Sequence, residues 1–218
     1  CMFGFYVLML CMRVNPWLAI VGAISFGLST INILYIGGGH TSKVNAIGYM
    51  APVLGGLLLA MRGRWLLGGA VFALFFSLHL ASNHLQMTYY LSFLLAAVVV
   101  GETIRLAIEK KWLDIGKSAA ALVIGSVVAL MPNFANLSTT YEYSKLTTRG
   151  KTDLTIKPEG KEESAQAADG LNTSYILEYN MAAGEPWAMM IPNAKGGSSS
   201  VPLADNKKAT QKAPKDVR

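Results

Sequence analysis

Residues 17–36 read WLAIVGAISFGLSTINILYI, twenty residues without a charged side chain. As a helix rising about 1.5 Å per residue, this run is about 30 Å long, the thickness of a bilayer's hydrocarbon core. A helix pairs its backbone N–H and C=O groups within the one segment, which hydrocarbon demands. The run therefore predicts a transmembrane helix.

Its neighbours repeat the pattern. Spans are expected at about 1–12, 17–36, 44–61, 65–81, 87–108 and 118–137. The first, CMFGFYVLMLCM, is too short to cross, so the chain is expected to begin inside a transmembrane helix, as an internal piece of a longer protein. Pro52 lies inside the third span and is expected to kink it. The fold class is thus an all-α polytopic membrane protein with about six transmembrane helices, the first truncated, and a mostly irregular extracytoplasmic tail. Residues 1–137 form the transmembrane region and 138–194 an extracytoplasmic segment, within which the apolar run at 187–191 is expected to pack on the helices. Residues 195–218, opening on KGGSSS, read as a flexible linker or disordered terminus.

Composition agrees. Charged residues make up 15% of the chain, against about 25% in average soluble domains. Up to residue 137 there are eight Lys or Arg and three Asp or Glu. Most of the +6 net charge therefore sits between hydrophobic runs. That distribution fits the positive-inside bias of membrane proteins better than a nucleic-acid surface, and no nucleic-acid partner is expected. Cys1 and Cys11, ten residues apart on one helix, are about 15 Å apart and too far for a disulfide. No His or Cys spacing matches a zinc or haem motif, so neither metal nor cofactor is expected.

Loop charges predict the sides. Alternate loops carry Arg13, then Arg62 and Arg64, then Arg105, Lys110, Lys111 and Lys117; the intervening loops carry Lys43 alone. The basic loops are expected to be cytoplasmic, which puts residues 37–43, 82–86 and the tail on the extracytoplasmic face. There the stretch 37–45, GGGHTSKVN, ends one helix and starts the next. Thr41 or Ser42 is expected to cap it, with Lys43 and Asn45 in its first turn. Free N–H groups and a lysine attract phosphate or carboxylate. Asn83 with Gln86 reads as a capping box for another helix start on the same face. Glu102, the only acid inside a span, is expected to pair locally with Arg105, and His79 to be a packing histidine.

The stretches GGGHTSKVNAIGYMAPVLGGLLLA (37–60), SNHLQMTYYL (82–91), YEYSKLTTRG (141–150) and PWAMMIPNAKGG (186–197) resemble the YfhO family of bacterial membrane proteins. That family is similar to the GT-C glycosyltransferases, which take a sugar from a polyprenyl-phosphate donor at the extracytoplasmic membrane surface. The resemblance implies a bacterial cytoplasmic membrane location. Its implied partners are membrane lipid, a polyprenyl-phosphate-linked sugar and a cell-envelope glycan acceptor. It also implies roles for the polar residues of this face. Lys43 and the helix start with Asn45 would hold phosphate, and His40 would give a proton or hydrogen bond to the leaving group. Arg149 would be a second phosphate ligand, while His84 and Gln86 would bond sugar hydroxyls. The catalytic carboxylate of GT-C enzymes lies on their first large outer loop and is expected upstream of Cys1. Alternatives from other classes are a flippase or transporter of lipid-linked sugar and a non-enzymatic envelope assembly protein.

Overall fold

A computed structural model describes residues 1–144 and Trp187. The described residues are helical and contain no strand. The helices are α1 Met2–Cys11, α2 Pro16–Gly27, α3 Thr30–Gly37, α4 Thr41–Met61, α5 Trp65–Ala81, α6 Leu85–Ile108 and α7 Trp112–Leu130. A short 3-10 turn, Met131–Asn133, then leads into α8, Phe134–Ser144.

Four turns share one device. Arg13, Gly39, Gly63 and Lys110 all take positive φ. In each case the next N–H reaches back five residues, from Val14 to Met9, His40 to Tyr35, Arg64 to Leu59 and Lys111 to Leu106. This is the Schellman ending, which satisfies a helix's last carbonyls while reversing the chain. Glycine adopts it without strain at Gly39 and Gly63.

Helix α4 is the centre. Its flanks meet α1, α5, α6 and α7, and its first turns meet α3. The contacts are close because the facing residues are small. A Cβ on Gly56 would lie 2.5 Å from the Phe72 nitrogen, and one on Gly68 would lie 2.6 Å from Ala60 Cα. Gly69 and Gly125 bring α5 and α7 together in the same way. Backbones that approach this closely maximise packing where water gives no hydrophobic drive. Above and below this seam, Val53, Leu57, Met61, Phe72, Leu91 and Leu106 form the apolar core.

Polarity is arranged for hydrocarbon. Asn32, His79, Glu102, Ser118 and Asn133 are buried, while Leu66, Val100, Val123, Ile124 and Leu113 are more than half exposed. Apolar surface on this scale is unusual on a water-soluble monomer. By length and composition α4, α6 and the continuous run Trp112–Ser144 can each cross a bilayer, and α2 with α3 makes a fourth candidate as a bent pair. Helices α1 and α5 are apolar but shorter.

Several expectations are corrected. The run 17–36 is not one helix; α2 and α3 meet at 45°. The break follows Gly27, and the Asn32 side chain, four-fifths of a turn past Ser29, donates to Phe26 O at 2.8 Å, competing with the helical ladder. Pro52 lies inside α4 as expected, and Gly4 of α1 packs directly on Gly48 O, the carbonyl whose N–H partner Pro52 lacks. The turn between α6 and α7 is only residues 109–111, since α7 begins at Trp112. Residues 138–144, the start of the tail, belong to α8. Trp187 is exposed; the rest of 145–218, including the remainder of the 187–191 run and the linker, lies outside the described residues.

Candidate functional site

The helices alternate in direction, so their polar ends collect at two opposite ends of the bundle. One end gathers Arg13, Arg62, Arg105 and Lys111. The other gathers the 37–45 turn, the 82–86 turn and the middle of α8, held by side-chain bonds.

The central bond-maker is His79, fully buried near the end of α5. Its Nδ1 lies 3.1 Å from Ala46 O and its Nε2 3.0 Å from Thr88 Oγ1. A carbonyl only accepts, so Nδ1 carries the proton; in the neutral ring Nε2 then accepts from the Thr88 hydroxyl. One imidazole thereby ties α4, one turn after Lys43, to α6, one turn after His84. Asn83 adds a second link, donating through Nδ2 to Thr140 Oγ1 of α8 at 3.1 Å. Asn133 donates to Ser77 O at 3.0 Å and closes α7 onto α5. Sequence reasoning recognised His79 as a packing histidine; its partners, 33 and nine residues away, carry no local signal.

The predicted site residues fall into two groups on this end. His40 and Lys43 both meet Tyr35. The Lys43 ammonium is 4.6 Å from the Tyr35 ring centroid, and the His40 ring stands edge-on to it with centroids 6.1 Å apart. A lysine over an aromatic face is held in place while its remaining face stays open. The cap differs from expectation. The Gly39 ending places His40, not Thr41 or Ser42, at the N-cap, and no side chain caps α4. The Ser42 and Lys43 N–H groups therefore have no partner among the described residues, as an anion-binding helix start requires. Asn45 is exposed and lies beyond the first turn, so it is not beside those N–H groups.

The second group stands at the start of α6. The expected capping box is absent: Asn83 takes φ +48 and gives its side chain to Thr140, and His84 is the N-cap. His84 Nδ1 is buried without a hydrogen-bond partner among the described residues, whereas Gln86 donates to Tyr90 OH at 3.0 Å. Arg149 lies outside the described residues. Among those described, Glu142 on α8 is the only carboxylate at this end, and it is exposed.

The opposite end is an ion-pair network. Glu102 accepts from Arg62 Nη2 at 3.0 Å and from Arg105 Nε at 2.7 Å; Arg105 also reaches Glu109 at 2.8 Å, and Lys111 reaches Glu109 at 2.7 Å. The local Glu102–Arg105 pair was expected. Arg62, forty residues away on another helix, was not. Glu109, beyond the end of α6, has its carboxyl held below the usual range by hydrogen bonds from Lys111 and Arg105. Comparison with protein-family models, curated proteins and solved structures finds no match.

Proposed function

We propose that the chain is part of a YfhO-like, GT-C-type membrane glycosyltransferase and supplies the donor-phosphate site at its extracytoplasmic end. In this reading the helices make six traverses, with α2 and α3 forming one broken span. The arginine-rich end faces the cytoplasm of a bacterial inner membrane. One observation carries the reading. Three of the four stretches on which the family resemblance rests, 37–60, 82–91 and the start of 141–150, have their polar parts at one end of the bundle, joined through His79, Asn83 and Thr140. That end offers an ammonium fixed on Tyr35, two free N–H groups and an imidazole with an unpartnered nitrogen. A pyrophosphate or phosphodiester with a sugar attached needs such donors, since its negative charge must be met where water is scarce.

The test is binding of a polyprenyl-phosphate sugar to the purified chain in lipid nanodiscs. Lys43→Ala removes one charge-assisted contact and is expected to weaken binding roughly tenfold. Tyr35→Leu, which frees Lys43, is expected to weaken it less. Equal binding by the parent and Lys43→Ala would sink the donor-site reading.

One observation favours the flippase alternative. Transporters bind substrate at broken helices within the membrane, and the α2–α3 break places the buried Asn32 with its Oδ1 unpartnered. Movement of labelled lipid-linked sugar between leaflets of proteoliposomes, abolished by Asn32→Leu, would establish that reading over the enzyme.

A further inference from the structure

At the arginine-rich end, a cavity of about 430 Å³ opens between the ends of α1, α4 and α6 and the start of α7. Four cations line it, Arg13, Arg62, Arg105 and Lys111, against two carboxylates, Glu102 and Asp114. The donors are unequally used. Arg105 spends Nε on Glu102, Nη1 on Glu109 and Nη2 on Met61 O. Arg62 spends Nε and Nη2 on one oxygen of Glu102 and keeps Nη1. Lys111 meets Glu109 through one of its three protons. Arg13 has no ion pair or hydrogen bond from its side chain among the described residues. It is held at the cavity by the Schellman ending of α1 at φ +61.

Charge then favours an anion. With Arg64, Lys110 and Lys117, this end carries seven Lys or Arg against Glu102, Glu109 and Asp114. A phosphodiester fits, because Arg13, Arg62 Nη1 and Lys111 supply unspent donors for its two free oxygens. The walls are apolar at Met61 and Leu106, and the exposed Ile108, Trp112 and Leu113 surround the same helix ends. Trp at a helix end suits the head-group level of a bilayer, and basic pockets between helices at the cytoplasmic side recognise anionic head groups.

We propose that this cavity is a phosphate site filled by the phosphodiester head group of an anionic membrane lipid. It is a second lipid site, at the opposite end of the bundle from Lys43, and it rests on the membrane reading but not on the donor reading. The head group docks on Arg13 and Arg62, and its acyl chains lie along the exposed apolar faces of α6 and α7.

The experiment uses the full 218-residue chain in nanodiscs of phosphatidylcholine with and without phosphatidylglycerol. Native mass spectrometry counts retained lipid, and thermal unfolding reads its effect. Phosphatidylglycerol is expected to be retained in preference to phosphatidylcholine and to raise the midpoint, and Arg13→Gln to cut its affinity roughly tenfold. Arg13→Lys, which keeps the charge, should retain most of the binding. Because the Arg13 side chain bonds to nothing among the described residues, the Gln variant should match the parent midpoint in neutral lipid. If inorganic phosphate gives the same Arg13-dependent rise in neutral discs, the site holds and its ligand is soluble phosphate. Phosphatidylglycerol and phosphate responses identical in the parent and both Arg13 variants, or no response to either, would overturn it. Lys43→Ala should leave phosphatidylglycerol binding unchanged, so this site and the donor site fail independently.

Discussion

Gly68→Ala tests the packing on which the bundle depends. The added methyl would collide with the Ala60 amide nitrogen and stand 2.6 Å from Ala60 Cα and 2.7 Å from Gly56 O. Carbon atoms rest at roughly 3.5–4.0 Å, so α4 and α5 must part by about 1 Å. The obstacles are backbone atoms of a buried helix, so no side chain can swing aside. A gap of that size forfeits about a quarter to a half of each dispersion contact along the seam, and overpacking of this kind costs about 1–3 kcal/mol. Alanine regains about 0.5–1 kcal/mol of helix preference. The net expectation is a loss of about 1 kcal/mol. Gly101→Ala on α6 is the matched control. It makes the same chemical change in a helix where nothing lies within 4 Å of the new methyl, and it should be neutral or stabilising by about 0.5–1 kcal/mol. Both variants would be unfolded in mixed micelles by increasing denaturing detergent and followed by circular dichroism. Shifts of the same sign for the two would refute the close backbone approach of α4 and α5.

Two further predictions concern the polar layers. Glu102→Gln leaves Arg62 and Arg105 without their shared charge; the carboxylate is 11% exposed but the guanidinia are 41% and 39% exposed, so head groups and water recover part of the loss. A destabilisation of about 1–3 kcal/mol in the same unfolding assay is expected. Glu109→Gln, at an exposed position, should cost clearly less, and the reverse order would contradict the network. For His79, nitrogen-15 NMR of the labelled chain should show a neutral ring protonated at Nδ1. Thr88→Val, which removes the hydroxyl from Nε2, should destabilise by about 1–3 kcal/mol, the cost of stranding a buried acceptor. An Nε2–H tautomer would mean that the Ala46 bond is not made.

What was legible in the sequence was what depends on neighbours in the chain. Charge-free runs marked the helices, and Glu102 three residues before Arg105 announced its pair because that spacing puts both on one helix face. The break after Gly27 was not legible. Residues 17–36 carry no charge, and charge alone does not mark the polar cluster Ser29, Thr30 and Asn32; the bend depends on a carboxamide, Asn32, choosing a backbone carbonyl six residues back. The cap of α4 was misjudged for a related reason. Once Gly39 takes positive φ and closes α3 through the His40 N–H, His40 is committed as the N-cap before Thr41 or Ser42 can serve. Helix-to-helix bonds such as His79 to Ala46, Asn83 to Thr140 and Arg62 to Glu102 join residues 33, 57 and 40 positions apart, and nothing local encodes them.

The same packing suggests an experiment that distinguishes the proposed enzyme reading from the flippase. Alternating access requires one group of helices to rock against another around a site near the membrane's middle. Helices α4, α5 and α7 meet through Gly56, Gly68, Gly69 and Gly125, nearer the arginine-rich end, with backbone against backbone. Sliding such a seam would drive one helix's carbonyls into the next helix's Cα atoms, so these three form a fixed block. Helix α2 packs on α1 and α3 on α4, without the glycine seam that locks the block, so the broken pair is where a flippase would have to move. The Tyr35 ring that carries Lys43 sits on α3, in the broken pair, while Lys43 itself is on α4, in the glycine-packed block. A flippase would break and remake that contact in each cycle, whereas an enzyme holding a donor phosphate would keep it closed. A cross-link between cysteines introduced at Tyr35 and Lys43 should therefore abolish transport under the first mechanism. Under the second, it should leave the helix-start N–H groups able to bind the donor, with affinity reduced only by the lost ammonium.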